Sequence, residues 1–352
     1  MDQRIGFCSS ADGVRIAYAS AGGGPARPMV RVATWLTHLE HDTDLIEPWV
    51  RDVAADRTLL RYDMRGCGLS DRDVEDFSLA AKLGDLEAVV DAADVNRFDL
   101  LGLSGGGPVA IAYAVRHPSR VAHLVLYGSY AQGRGRRVGR APDAHEEEFV
   151  LVSLTRMGWG RPNPAFRRVF TTLFMPDASE RVVRSFEHMQ RVSASAETAA
   201  RIREASYDTD VSALARRVTV PTLVLHLRED AATPFEEGRR LAALIPDAQF
   251  VPLEGRNHIM GSDDPAWPAF VDEVRRFTSA EEPAHRPGTR LTSRERDVLA
   301  GVADGMDNAQ IAAHLSLSVR TVERHLSTIY TKLGVAGKAA RAAAAAQFAR
   351  HP

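Results

Sequence analysis

The sequence predicts an α/β domain, with a mostly parallel sheet and a helical cap, followed by a small all-α domain of four helices. Three observations carry this. Through the first 280 residues, short β-type runs alternate with helical patterns, as in parallel strands joined by helices. One stretch, about 131–210, breaks that rhythm and holds helical patterns only. From residue 290 onward the apolar spacing is purely helical.

Strands are predicted at 14–18, 29–33, 58–62, 98–103, 121–126, 222–227 and 249–253. Helices are predicted at 45–55, 79–93, 108–116, 234–245 and 267–277. Continuous apolar runs such as Leu124-Val125-Leu126 suit strands covered on both faces. The segment 131–210 reads as a cap over one end of the sheet, with helices at 146–157, 163–173, 180–192 and 197–206. Its basic opening, Arg134 to Arg140, reads as a solvated loop, with phosphate contact as the alternative. Two prolines, a glycine and several charges then mark 281–289 as a linker. This divides the chain into 1–280, the linker, and 290–352.

With 352 residues, 45% apolar and 26% charged, the chain has the make-up of a soluble protein with two domains. The net charge of −2 conceals an asymmetry: 286–352 carries 10 Lys/Arg against 5 Asp/Glu, so that +5 sits on a tail and −7 on the body. A basic tail on an acidic body points to a polyanionic partner. Two isolated cysteines, Cys8 and Cys67, make neither a disulfide framework nor a zinc site and suit a reducing compartment. Cys67 stands in the turn Arg65-Gly66-Cys67-Gly68, but no nearby His or Lys in the sequence activates it as a nucleophile. The N-terminus lacks the layout of a secretory signal and no apolar run reaches membrane-spanning length. A cytoplasmic protein without a membrane partner is expected.

The chemistry centres on Gly102-Leu103-Ser104-Gly105-Gly106, a G-x-S-x-G elbow between a predicted strand and a predicted helix. Glycines two residues either side of the serine relieve a sharp turn, and the following helix directs its positive end toward a developing oxyanion. Gly106, Gly107, Ala110 and Ala114 let that helix lie close to the sheet. A serine hydroxyl needs a base. Asp230 and His258 follow in the required order, each after a later strand. Ser104 is then the nucleophile, His258 the base and later acid, and Asp230 the group orienting the imidazole; Glu229 is the neighbouring candidate for the acid. Backbone N–H groups of Gly105 and of Trp35 or Leu36 are the expected oxyanion donors. No cofactor is called for. His38 and His41 with Asp42 or Asp44 occupy too few loop positions to define a metal geometry, so no metal is expected.

Residues 10 to 278 resemble the α/β-hydrolase superfamily, nearest the esterase-like branch found fused to regulatory domains in bacteria. The elbow, the ordered Asp230 and His258, and the run from Arg61 to Ser70 carry the resemblance. Many such hydrolases have His-Gly after the early strand, where this chain has Thr34-Trp35, so bulky side chains are expected to narrow the pocket. The fold hosts many reactions and some receptors without activity.

In the tail, Thr292-Ser293-Arg294-Glu295 has the form of a capping box, with Val298, Leu299 and Val302 facing inward. A second helix is expected at 308–315. Ser318 caps a third, whose inward stripe is Val319, Val322, Leu326, Ile329 and Leu333. The outer face offers Arg320, Glu323, Arg324, Ser327, Thr328 and Thr331 to phosphates and base edges, and Thr321 and Lys332 are further candidates for DNA contact. A fourth helix is expected at 338–349. Residues 290–348 resemble the LuxR/FixJ-type helix-turn-helix, on the opening from Leu291 to Leu299, on Ile311-Ala312, on the stretch from Leu317 to His325, and on Lys332-Leu333-Gly334-Val335. The resemblance implies that the third helix enters the major groove of double-stranded DNA, with Glu323, Arg324 and Ser327 toward bases, and that the protein works as a homodimer on paired half-sites.

The sequence therefore supports a transcriptional regulator whose hydrolase-like domain binds a small ester or lactone, with or without hydrolysing it. The rival is an active serine esterase with a secondary DNA-binding tail. A third reading is a receptor that binds without turnover.

Overall fold

Four of the six residues in Phe98–Leu103 (β5) are large and apolar, and the strand is buried along its whole length. Such a strand has to be covered on both faces. In the computed structural model β5 lies inside an eight-stranded sheet. The other strands are β1 (Gln3–Ser9), β2 (Arg15–Gly22), β3 (Met29–Arg31), β4 (Thr58–Tyr62), β6 (Val121–Tyr127), β7 (Thr222–Leu227) and β8 (Gln249–Leu253). Their order across the sheet is β1-β2-β4-β3-β5-β6-β7-β8. From β4 across to β8 all pairings are parallel, whereas β1–β2 and β2–β4 are antiparallel. The structure describes residues 3–41, 43–137, 144–159, 161, 163, 165–279, 293–315, 317–332, 335, 340–342 and 344–345.

β1 has no counterpart in the sequence reading. It is an edge strand whose side chains are only partly covered, and its polar, weakly alternating sequence gives little period-two signal. The predicted helix at 45–55 is a short helix, α1 (Thr43–Pro48), followed by a π-helical turn at Trp49–Val53. Pro48 has no N–H to continue the regular ladder.

The sheet is covered by α2 (Leu79–Ala92) and α3 (Gly106–Arg116). Between β6 and β7 the cap supplies α4 (Ala144–Gly158), α5 (Ala165–Phe174), α6 (Glu180–Ser193) and α7 (Ala196–Tyr207). After the cap, α8 (Ser212–Ala215), α9 (Phe235–Leu244) and α10 (Trp267–Ser279) return to the sheet. Ile111, Tyr113, Leu124 and Val224 belong to the core on one side; Leu101, Val125, Leu225 and Phe270 belong to the core on the other.

The start of β5 is held by charge. Asp99, fully buried, accepts from Arg57 Nη1 at 2.8 Å and Arg27 Nη1 at 3.2 Å, and pairs with His123 Nδ1 at 2.8 Å.

The chain forms two compact units, residues 1–280 and 281–352. In the second, α11 (Ser293–Ala303), α12 (Asn308–His314) and α13 (Val319–Lys332) close on Val298, Leu299, Ile311, Val322, Leu326 and Ile329. Asp307 and Gln310 form a reciprocal capping box at the start of α12. Ser318 Oγ accepts from Thr321 N at 3.1 Å and so caps α13. Thr292, Leu333, the predicted linker and most of the predicted fourth helix lie outside the described residues. Val319 departs from the expected inward stripe. At the first turn of α13 it is 42% exposed. Among the described residues no helix is long and apolar enough to cross a membrane.

Candidate functional site

β5 runs directly into Ser104, which takes the left-handed conformation with φ of 45°. A residue with a Cβ is strained there, and hydrogen bonds on both sides hold it. Ser104 N donates to Tyr127 O at 2.9 Å, while Ser104 O accepts from Gly107 N at 3.0 Å and Ser129 Oγ at 2.9 Å. The helix α3 begins immediately beyond and lies against the strands. A Cβ on Gly107 would sit 1.7 Å from Ser129 Oγ, and one on Gly102 would sit 2.8 Å from Ala110 Cβ. These contacts are the close approach for which the small residues of the elbow are required.

Asp230 stands just beyond β7, and His258 just beyond β8. His258 Nδ1 and Asp230 Oδ2 are 2.6 Å apart, and both side chains are buried. The second carboxylate oxygen accepts from the backbone N–H groups of Ala232 and Thr233, each at 2.9 Å. Asp230 is thus itself held by a turn and keeps one oxygen for the ring, which fixes the imidazole. Glu229 points away, exposed and beside Arg256. His258 and Ser104 line the same cavity. Among the described residues no hydrogen bond joins Ser104 Oγ to the imidazole.

Gly128, one residue beyond β6, has φ of 54°, and a Cβ there would lie 2.9 Å from His258 Cε1. Sequence reasoning missed this residue. Its signal is a glycine at the end of a buried strand, which no motif records. His226 is also buried behind Asp230; its Nε2 meets Thr233 O at 2.8 Å, and burial lowers its pKa. It props the turn that carries the carboxylate.

Trp35 and Leu36 follow β3 beside the elbow, and both line the cavity with Ser104. A Cβ on Gly106 would lie 3.1 Å from Ala33 O, so the loop after β3 passes close over the start of α3. The indole of Trp35 turns up into the cap: its Nε1 donates to Ala199 O at 3.0 Å, and its ring meets Trp159, Phe170 and Phe174 at 5.3, 5.4 and 5.7 Å. Rather than simply narrowing the pocket, Trp35 stands between two chambers that share Ser104, Trp35 and Phe174.

The chambers differ in chemistry. One is mainly apolar, walled by Leu45, Trp49, Phe186, Met189 and Met260, with Arg31 and His258 also on its lining. The other is rich in cations, with Lys82, Arg134, Arg137 and Arg203 on its wall against Glu148. Here the expectation of a solvated arginine loop is overturned for Arg134 and Arg137. Arg137 is mostly buried, 3.6 Å from Glu237, with its guanidinium 5.7 Å from the Tyr130 ring. Aromatic and acidic partners draw Arg137 inward, while Arg136 stays exposed. The last part of the basic run, 138–140, lies outside the described residues.

Lys82 on α2 is 9% exposed. Burial pushes its pKa down from 10.5 to about 8. Below pH 8 both folded and unfolded chains hold the proton, and the buried ammonium destabilises the fold in full. Between pH 8 and 10.5 the folded chain releases the proton while the unfolded chain keeps it, so the destabilisation fades. Lys82→Met is therefore expected to stabilise the free protein by on the order of 2–3 kcal/mol at pH 7. Urea melts at pH 7 and pH 10 should show the gain shrinking at the higher pH.

Cys67 is fully buried, and burial pushes its thiol up to about 12, which removes it as a nucleophile. His38, Glu40 and His41 each bring a ligand atom within 4.8 Å of the others, and the His41 ring meets His188 of α6 edge-on at 5.1 Å. Burial, then the charges of His41 and Arg72, push His38 down to about 4. Asp42 and the side chain of Asp44 lie outside the described residues.

On α13, Val322, Leu326 and Ile329 are buried, while Arg320, Glu323, Arg324, Ser327 and Thr328 are exposed and Thr321 is half-buried. The predicted reading face is therefore presented as one side of the helix. Thr328 Oγ1 donates back to Arg324 O at 3.0 Å. The side chain of Lys332 lies outside the described residues.

Comparison with known proteins matches both units. Residues 37–265 match the alpha/beta hydrolase fold, and residues 289–345 match the luxR family of bacterial regulatory proteins. A 2-hydroxymuconate semialdehyde hydrolase of Pseudomonas putida is 30% identical over 55% of this chain and 67% of its own length. A 2-hydroxy-6-oxononadienedioate/2-hydroxy-6-oxononatrienedioate hydrolase of Cupriavidus pinatubonensis is 32% identical over 56% of this chain and 68% of its own length. Among solved structures, an esterase from Rhodococcus sp. superimposes with a TM-score of 0.64 at 28% identity, covering 78% of this chain and 98% of that one. The chain belongs to the α/β hydrolase fold family and carries a C-terminal DNA-binding helix-turn-helix domain of the luxR family.

Proposed function

We propose that the protein is a transcriptional regulator whose hydrolase domain binds and hydrolyses a small ester or lactone, and that occupancy of this domain alters DNA binding by the tail. The observation that carries the reading is the presence, on one chain, of a buried His258–Asp230 pair beside strained Ser104 and of an exposed polar face on α13. In the hydrolase domain, Ser104 Oγ attacks the carbonyl, His258 takes its proton and returns it to the leaving group, and Asp230 stabilises the imidazolium. A water deprotonated by His258 then attacks the acyl-serine to release the acid and restore the Ser104 hydroxyl. Backbone N–H groups of Gly105 and of Trp35 or Leu36 receive the oxyanion. No step needs a metal or cofactor.

The DNA-facing residues are Arg320, Thr321, Glu323, Arg324, Ser327, Thr328 and Lys332, with Arg324 and Glu323 directed to base edges. A homodimer on paired half-sites and a cytoplasmic location complete the proposal. Selection of bound fragments from genomic DNA tests it: a preferred sequence is expected, and equal binding to competitor DNA would sink the regulator reading. On the selected site, Arg324→Ala is expected to weaken binding by about 1–3 kcal/mol and to relax preference at one base pair, read by fluorescence anisotropy.

The second reading, an esterase whose DNA-binding tail is secondary, is favoured by the two hydrolase relatives at 30% and 32% identity. It predicts turnover that is the same with and without DNA bound to the tail.

A further inference from the structure

The cation-rich chamber beside Ser104 holds four basic side chains, and three of them already have acidic partners. Arg134 Nη1 donates to Glu147 at 2.8 Å, Arg137 lies 3.6 Å from Glu237, and Arg203 Nη2 donates to Glu148 at 2.9 Å. Lys82 differs. It is nine-tenths buried, lines the chamber with Ser104 and Gly105, and has no hydrogen-bond or ion-pair partner among the described residues. The nearby carboxylate, Asp85, is committed elsewhere: Arg65 Nε and Nη2 donate to its two oxygens at 2.8 and 2.7 Å. An isolated buried ammonium costs free energy that an incoming anion recovers. A ligand anion in this chamber would supply the partner that Lys82 lacks. The opposite chamber, across Trp35 and Phe174, is mainly apolar, with Arg31 and His258 also on its lining.

We infer that the ligand is an amphipathic carboxylate, with its anionic group on Lys82 in the cation-rich chamber, its apolar part in the other chamber, and its ester or lactone carbonyl between them at Ser104. This rests on the proposed use of the Ser104 cavity for ligand binding and names the ligand's chemical class. Lys82 is a binding residue here and takes no part in the bond changes.

Titration calorimetry on the full chain, with Ser104→Ala to prevent turnover, tests the inference without DNA. Its failure is therefore distinguishable from failure of ligand-dependent DNA binding. The probes are 4-phenylbutanoate and its neutral primary amide. The carboxylate is expected to bind at least about tenfold more tightly than the amide, since a charge-assisted bond replaces a neutral one. Adding Lys82→Met, which removes an unpaired charge and so leaves folding intact, should collapse the ratio of the two affinities to near one, while Lys82→Arg should keep a clear preference for the carboxylate. A ratio near one before Lys82 is changed, an unaltered ratio in Lys82→Met, or no binding of either probe at millimolar concentration would overturn the inference.

Discussion

Ser104→Ala is expected to abolish covalent capture of a fluorophosphonate probe and to lower hydrolysis of 4-nitrophenyl esters by roughly four to six orders of magnitude, because the site acts as a unit. A nucleophile, a base and an orienting carboxylate work together, and loss of the nucleophile removes nearly everything they contribute. The position tolerates alanine structurally, because the elbow is held through backbone atoms: Ser104 N to Tyr127 O, and Ser104 O to Gly107 N and Ser129 Oγ. Alanine is expected to keep the φ of 45° that Ser104 takes under those restraints, so folding should be preserved, and circular dichroism on the same sample checks this. Equal labelling of the native chain and of Ser104→Ala would exclude Ser104 as the nucleophile. DNA binding by the tail is expected to survive the substitution, since the tail has its own core.

Asp99→Ala should damage folding severely while leaving every candidate site residue untouched. Asp99 is fully buried in β5, and Arg57, which donates to it at 2.8 Å, is 3% exposed. Removing the carboxylate leaves His123 without its buried acid and Arg57, among the described residues, with only the exposed Asp56 as an acidic partner, 3.3 Å away. Breaking a buried pair from one side costs about 3–5 kcal/mol, well above the net worth of the pair itself. All four tryptophans lie within residues 1–280, so urea denaturation followed by tryptophan fluorescence reports on this unit alone. A loss below about 1 kcal/mol would mean that water reaches Arg57 at once and that the pair is not buried in the working molecule. Because β5 leads straight into the elbow, a partial loss of order there should also slow labelling at Ser104.

Much of this architecture is legible in the residues. The elbow is readable because its glycines answer a fixed steric demand at fixed spacing, and the contacts of Gly102 and Gly107 are that demand in three dimensions. From sequence, Asp230 is placed only to within one residue, since Glu229 is also acidic. The turn that gives Asp230 Oδ1 two backbone donors separates them, and such a turn has no one-dimensional mark. The reading face of α13 follows from a 3.6-residue period, and its first turn, at Val319, escapes the rule.

Other features have no signature along the chain. Gly128 serves His258 across the sheet, from a distant part of the sequence. Lys82 carries no mark in the sequence, because the cap and elbow residues that share its chamber are distant along the chain. The arginines at 134 and 137 read as a solvated loop because the partners that draw Arg137 inward, Tyr130 and Glu237, include no acid nearby in sequence. β1 is an edge strand, identified by its partner β2 rather than by its own alternation.

The central claim is that occupancy at Ser104 is felt by the DNA-binding tail. The direct measurement is anisotropy titration of one selected DNA site with two preparations of the same full-length protein, one free and one fully labelled at Ser104 by a fluorophosphonate. The two affinities are expected to differ by about fivefold or more, the lower end of usual coupling between two sites, with no difference when Ser104→Ala is carried through the same labelling. Indistinguishable titration curves for labelled and free protein would contradict it.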